Sequence, residues 1–485
     1  MLFRSRALYP NLTRLTSLPY PHRFYVDGPP TVGDVFYASA WHTVLVGGLR
    51  KGGQAIYALD VTDPAQLNES NAGSLALWEF SDADDADLGF TYSQPAIVRM
   101  ANGKWAAVFG NGYNNTVADG NASTSGNAVL FIVDVQNGAL IRKIDTTIGT
   151  VGDPSGNSRP NGLATPAPVD VNGDRIVDYI YAGDLFGNMW KFDVRDASAA
   201  NWGVAYGGSP VYVAKDAGGN VQPITTRPEV SLHPFFQTGS DFFTNGGYML
   251  YFGTGQYLEL SDNVTTNAQT QTFYGIWDPD KTSLPPAMNR SNLLVQQITD
   301  EGTVTVNSVQ VEARLTTNNG PINWRADPLA DDGNEMGWFM DLINTGATPL
   351  DNQGERQVTT PVLRADGRIV FTTLIPSGSN CVFGGSGWLM ELDATDGSRL
   401  GDPPFDFDND GVFDVVDFGV VTNVVPSGVR STGGAPATPG ILPAGDNEEY
   451  KYISGTDAAK IQVIHEKSPP GLPGSGTRES WRQIR

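Results

Sequence analysis

Two loops in this 485-residue chain carry oxygen-bearing side chains at the spacing a hard divalent cation requires. The first is the nine-residue run Asp170-Val171-Asn172-Gly173-Asp174-Arg175-Ile176-Val177-Asp178. Asp170, Asn172, Asp174 and Asp178 stand at its first, third, fifth and ninth places. Ile176 holds a place where such loops use a backbone carbonyl, so an apolar residue costs nothing there. Two places depart from the EF-hand pattern. Arg175 replaces its glycine, and Tyr181 stands where its closing Glu belongs. Water or a neighbouring loop would have to complete the shell. The second loop runs for twelve residues, from Asp406 to Asp417. Asp406, Asp408, Asp410, Gly411, Asp414 and Asp417 match the EF-hand places, with Val412 at the carbonyl position. Asp417 has a shorter arm than Glu, which makes bidentate reach harder and predicts weaker binding. Ca2+ is the ion both loops imply. A single Asp/Asn/Gly turn is ordinary on an acidic surface, whereas this spacing twice points to metal sites. The acidic run Asp82–Asp87 lacks the spacing and the turn glycine and reads as a solvated loop.

The elements that must position these loops read as strands. Glycine is abundant, at 56 residues, and aromatic and β-branched residues gather in short runs between Gly, Asn and Asp clusters. A weak internal repeat runs through the chain. Each unit opens on a polar residue and proline before a strand, at Pro95, Pro166, Pro228 and Pro361. Proline is tolerated at the start of a strand, where its missing N–H does least harm. A second apolar strand follows and often ends in glycine, as at Gly110, Gly183 and Gly253. A third runs into an aspartate, at Asp60, Asp134, Asp193 and Asp393, which predicts a tight turn closed on backbone amides ahead. The gap from Pro228 to Pro361 has room for roughly two units. This order predicts an all-β fold, a β-propeller, in preference to an irregular β-sandwich. Both loops then lie between strands, as EF-hand-like loops without flanking helices. The propeller is expected over residues 1–425, with 282–335 a polar, irregular insertion between blades. Residues 426–485 are expected to be a Gly/Pro-rich loop and a tail. No helix is predicted with conviction.

Composition excludes several classes. A net charge of -22 and a pI near 4.4 repel phosphate backbones, so nucleic acid is not an expected partner. The one cysteine, Cys381, permits no intrachain disulfide and no Cys-based zinc site, and reads as a small core residue. No apolar run is long enough for a transmembrane segment. The basic N-terminus is broken by Pro10, Asn11 and Arg14 and does not read as a signal peptide. His22, His42, His233 and His465 are not paired at metal or triad spacing and read as packing or surface residues. Neither G-x-S-x-G nor H-E-x-x-H occurs. The chain is therefore expected to be non-catalytic.

Several long motifs resemble a known family. Trp41–Leu49, Ala55–Pro64, Leu88–Pro95, Asn102–Tyr113, Phe371–Pro376 and Ser480–Gln483 are similar to the C-terminal propeller of the type IV pilus PilC/PilY adhesins. The strongest similarity runs from Asp170 to Val194. The resemblance implies a modified propeller of about seven blades whose first blade is incomplete here. It implies that Asp170, Asn172, Asp174, Ile176 and Asp178 bind calcium, and that occupancy influences pilus extension and retraction. It further implies twitching motility, minor pilins and host or abiotic surfaces as partners, and export to the cell surface, fimbrium or outer membrane. Full-length members carry a signal peptide and a large N-terminal region, so the chain reads as a C-terminal fragment or a misplaced start. No Arg-Gly-Asp motif is present, so integrin binding is not implied. Two other classes are weighed. A lectin-like, carbohydrate-binding propeller shares the architecture. A quinone-dependent dehydrogenase shares aromatic strands and Asp-Gly turns, but such enzymes often use paired cysteines.

Overall fold

The computed structural model describes residues 5–467 except 19, 21, 118–119, 235–245, 284, 286–287, 349, 380–383, 419–423, 445–447 and 458–459. Cys381 and the Ser480–Gln483 motif lie outside the described residues, as do residues 468–485 of the expected loop and tail. The chain divides into two compact units, one ending at Val213 and the next beginning at Ala214.

Four-stranded antiparallel sheets with strands in chain order build the first unit, as the repeat predicts. The first sheet holds Thr31–Tyr37, Ala40–Gly48, Ala55–Asp60 and Ala76–Ser81. It has all four strands, more than the incomplete blade expected. The second holds Ala96–Arg99, Trp105–Gly110, Val129–Asp134 and Leu140–Asp145. The third holds Ala167–Val169, Tyr179–Gly183, Asn188–Asp193 and Gly203–Val204, with Tyr212–Val213 added beside its third strand. Pro95 directly precedes the edge strand of the second sheet and Pro166 that of the third. The strand-end aspartates close turns as predicted. Asp60 accepts the Thr62 amide at 2.9 Å, Asp134 that of Gln136 at 2.9 Å and Asp193 that of Arg195 at 3.2 Å. Cores form between sheets: Val35, Val44, Val46 and Ile56 pack with Ala107, Phe109 and Phe131, and Leu130 and Ile132 pack with Ile180, Trp190 and Phe192.

In the second unit one sheet has ten strands. It contains two four-stranded repeats. One comprises Glu229–Leu232, Tyr248–Gly253, Thr272–Asp278 and Gly337–Asn344; the other comprises Val362–Leu363, Arg368–Thr372, Trp388–Asp393 and Gly428–Arg430. Between their outer edges lies a hairpin, Leu294–Val306 with Val309–Thr316. It runs parallel to Gly337–Asn344 on one side and antiparallel to Gly428–Arg430 on the other.

Two expectations change here. Residues 282–335 are not irregular throughout, because Leu294–Val306 and Val309–Thr316 form strands that bury Ile298, Val306 and Ala313. Among the described residues the span from Pro228 to Pro361 therefore holds one repeat and a hairpin rather than two repeats. Arg314 of the hairpin is fully buried. It pairs bidentately with Glu355 at 2.7 Å, donates to Glu301 at 2.7 Å and lies over the Trp388 ring.

The expected Gly/Pro-rich tail contains a three-stranded sheet, Gly440–Pro443, Glu448–Ser454 and Ile461–Lys467. Its alternation escapes notice because the inward face is charged. Glu449, Lys451 and Glu466 are buried, while Leu442, Tyr452, Ile461 and Val463 are exposed. Lys451 bonds Glu391 and Glu466, and Arg368 reaches Glu391 at 2.9 Å. An ionic layer thus seats this sheet on the last repeat. Among the described residues helices are confined to single turns, and none is long and apolar enough to cross a membrane. Five full four-stranded repeats stand among the described residues, where the resemblance implies about seven blades.

Candidate metal centre

The first loop is the hairpin connection of the third sheet. Val169 pairs with Tyr179, and the Asp178 amide donates to the Val169 carbonyl at 2.9 Å, so the strands pinch the loop at both ends. Inside the pinch the side chains gather backbone amides. Asp170 accepts from Gly173 and Arg175, both at 2.7 Å. Asn172 accepts from Asp174, and Asp174 from Ile176, each at 2.8 Å. Asp178 accepts from Val171 at 2.9 Å and closes the ring. Gly173 and Arg175 take left-handed conformations, with φ of 80° and 68°. Arg175 therefore does what glycine does at that place, at a steric cost.

The second loop repeats the wrap. Asp406 accepts from Asp410 at 3.1 Å and Gly411 at 3.0 Å, and Asp410 accepts from Val412 at 2.7 Å. Asn409 and Gly411, again the fourth and sixth places, have φ of 57° and 81°. Asp417 accepts from Phe407, the second place, at 2.7 Å. It thus closes the twelve-residue loop as Asp178 closes the nine-residue one. Asp414 caps Val416 at 2.8 Å instead. One 3-10 turn, Val415–Phe418, ends the loop.

The two loops differ in how tightly their carboxylates meet. Asp406, Asp408 and Asp410 bring one oxygen each within 4.8 Å of one another, which suits a metal ion. Among the described residues Asp170, Asp174 and Asp178 are not gathered in this way. Burial raises the Asp178 carboxyl above its ordinary range, with the charges of Asp174 and Asp170 adding to it. Asp417 is pushed up to about 6, by burial first and then by Asp406 and Asp408. Carboxylates raised by one another are the electrostatic setting that a cation relieves, and their oxygens are the hard donors calcium takes.

Side chains outside the motif hold the second loop. The His465 Nδ1 lies 2.7 Å from Asp406 and its Nε2 3.3 Å from Glu448. The Asp406 amide donates to the His465 carbonyl at 3.1 Å, and Phe405 bridges to Glu466. Asn307, at the tip of the 294–316 hairpin, donates to Asp408. Phe405 and Phe407 stack beneath, buried with Val306, Ile453 and Ile464. Sequence reading took His465 for a packing or surface residue, and Asn307 carried no signal. Both lie far from the loop in the chain and meet it through the fold alone.

A different buried group lies at the far end of the strand that leaves the first loop. Asp184, with no exposure, accepts from Asn161 at 2.9 Å, Asn188 at 2.8 Å and Trp190 at 2.8 Å, and from two backbone amides. It fixes the turn after Tyr179–Gly183, the strand that leaves the loop.

Residues 4–310 match the family described as PilY1 beta-propeller domain. The Pseudomonas aeruginosa type IV pilus biogenesis factor PilY1 is 34% identical over 99% of this chain and 39% of its own length. A Xylella fastidiosa PilY1 homolog is 39% identical over 79% of this chain and 24% of its own length. The chain thus spans well under half the length of these relatives. The crystal structure of the P. aeruginosa PilY1 C-terminal domain superposes with a TM-score of 0.74 at 32% identity, covering 92% of this chain and 84% of that one. The four-stranded repeats and these matches together place the chain in the PilY1 β-propeller family.

Proposed function

We propose that this chain is the calcium-binding propeller module of a type IV pilus biogenesis factor. It works without catalysis, at the cell surface, fimbrium or outer membrane. Calcium occupies Asp170, Asn172, Asp174, Asp178 and the Ile176 carbonyl in one loop. In the other it takes Asp406, Asp408, Asp410, Asp414, Asp417 and the Val412 carbonyl. Occupancy supports pilus extension and retraction, twitching motility and attachment to host or abiotic surfaces, in company with minor pilins. The names of the relatives support the pilus setting.

One observation carries the metal reading. Two loops of different length share left-handed fourth and sixth places and close their last aspartate on the second amide. Such convergence in a common wrap supports a common ligand. Calorimetry with calcium tests it: two sites are expected, and one after Asp178→Ala. No heat and no change in melting temperature at millimolar calcium would sink it. Twitching zones of a strain carrying both Asp178→Ala and Asp406→Ala test the pilus role, and undiminished zones would reject that part.

A further inference from the structure

We propose that the first and second sheets form a binding cleft for a neutral saccharide, built round the tip of the 31–48 hairpin. The tip is a two-residue turn, Ala38-Ser39, with φ of 49° and 66°. Such turns favour Asn-Gly, so two ordinary residues here are held under strain. The turn sets Phe36 directly opposite Trp41. These rings are 47% and 62% exposed, whereas Val35 and Val44 on the other face are fully buried. The hairpin therefore spends its inward face on the core and holds two large rings in water.

The rings meet edge to face. Phe36 and Trp41 meet at 63° with centroids 5.4 Å apart, and Trp41 meets Trp105 of the second sheet at 71° and 6.3 Å. Each such contact covers part of one ring face, and the exposure of Phe36 and Trp41 leaves the remaining ring surface to solvent, where the C–H side of a sugar ring can stack. A cleft of about 190 Å3 opens beside them, with Phe36, Tyr37 and Trp105 along its apolar wall.

Its other wall is polar. Lys104 Nζ bonds the Asp134 carboxylate at 2.8 Å, and that carboxylate also accepts the Gln136 amide at 2.9 Å. The exposed carboxamides of Gln136 and Asn137 complete the wall. Lysine and aspartate cancel, so the wall favours neither an anion nor a cation. It presents donors and acceptors side by side, which suits hydroxyl groups that both give and take hydrogen bonds. The volume fits a ring and its substituents, not a helix. The cleft shares no residue with either metal loop, so it stands apart from the calcium reading.

The test is an array of neutral hexose- and N-acetylhexosamine-terminated glycans, probed with the whole chain in calcium and in EDTA. Calorimetry then follows with the strongest glycan retained. Binding in both buffers is expected, with affinity falling about tenfold in Trp41→Ala and severalfold in Gln136→Ala. Trp41 is exposed, so its variant should melt with the wild type. Three outcomes overturn the proposal. No glycan is retained in either buffer; or EDTA alone abolishes retention, which moves the site to the metal loops; or Trp41→Ala binds undiminished, which leaves the tip a face for another protein.

Discussion

The two acidic loops share a backbone wrap and differ in what holds it. The nine-residue loop is local: two paired strands pinch it, and its closing aspartate is the residue before the next strand. The twelve-residue loop is a product of the fold. A strand some fifty residues later supplies His465 and the backbone bonds to Asp406, and a hairpin about a hundred residues earlier supplies Asn307. The tighter carboxylate cluster is the one that distant elements brace. The surroundings of the two loops bury carboxylates in different form. Asp184 is a lone carboxylate satisfied by neutral donors, whereas Lys451 sits in a network of acids and arginines. A loop can therefore be made by its own sequence or by its surroundings, and mutation should tell the two apart.

The largest effect is expected at Lys451. Lys451→Met takes from buried Glu466 its cation and leaves Glu391 and Glu449 to Arg368 and Arg364, at a cost on the order of 3–5 kcal/mol. Urea unfolding would measure it, and calcium binding at the second loop should vanish while the first loop keeps its site. Loss at both loops would break the distinction. Asp184→Ala should cost about 2–3 kcal/mol by stranding the buried donors of Asn161, Asn188 and Trp190, again read by urea unfolding.

His465→Phe keeps the ring stacked on Tyr450 but removes the contact to Asp406. Affinity at the second loop should fall about tenfold or more, as for other partners of metal ligands, with little change at the first. Calorimetry resolves the two sites. An unchanged second site would show that His465 only packs.

The smallest effect is a gain. Arg175→Gly relieves a left-handed conformation, and melting temperature should rise by the equivalent of roughly 0.5–1 kcal/mol, less the entropy that glycine adds to the unfolded chain. The same change at Asn409 should give less, because asparagine tolerates this conformation.

Much of the fold was legible from local chemistry. The Pro-led strands, the glycine-ended strands and the turn aspartates at 60, 134, 193 and 393 all act within a few residues, and Asp393 caps Thr395 at 2.7 Å as expected. The wrap of both acidic loops was legible for the same reason, since a short loop closes on its own side chains. The 294–316 hairpin and the 440–467 sheet were not. The hairpin hides its few buried apolar residues among polar ones, and the sheet turns Glu449, Lys451 and Glu466 inward.

The sequence by itself determined the all-β repeat, the ligand spacing of both loops and the kinship with the pilus propellers. Only the tertiary structure decided which carboxylates meet, which histidine braces them and where a charged strand can be buried. The physical reason is range. A turn or a loop is set by torsions and hydrogen bonds among near neighbours, whereas a buried ion network exists only once its opposite charges, remote in the chain, have been brought together.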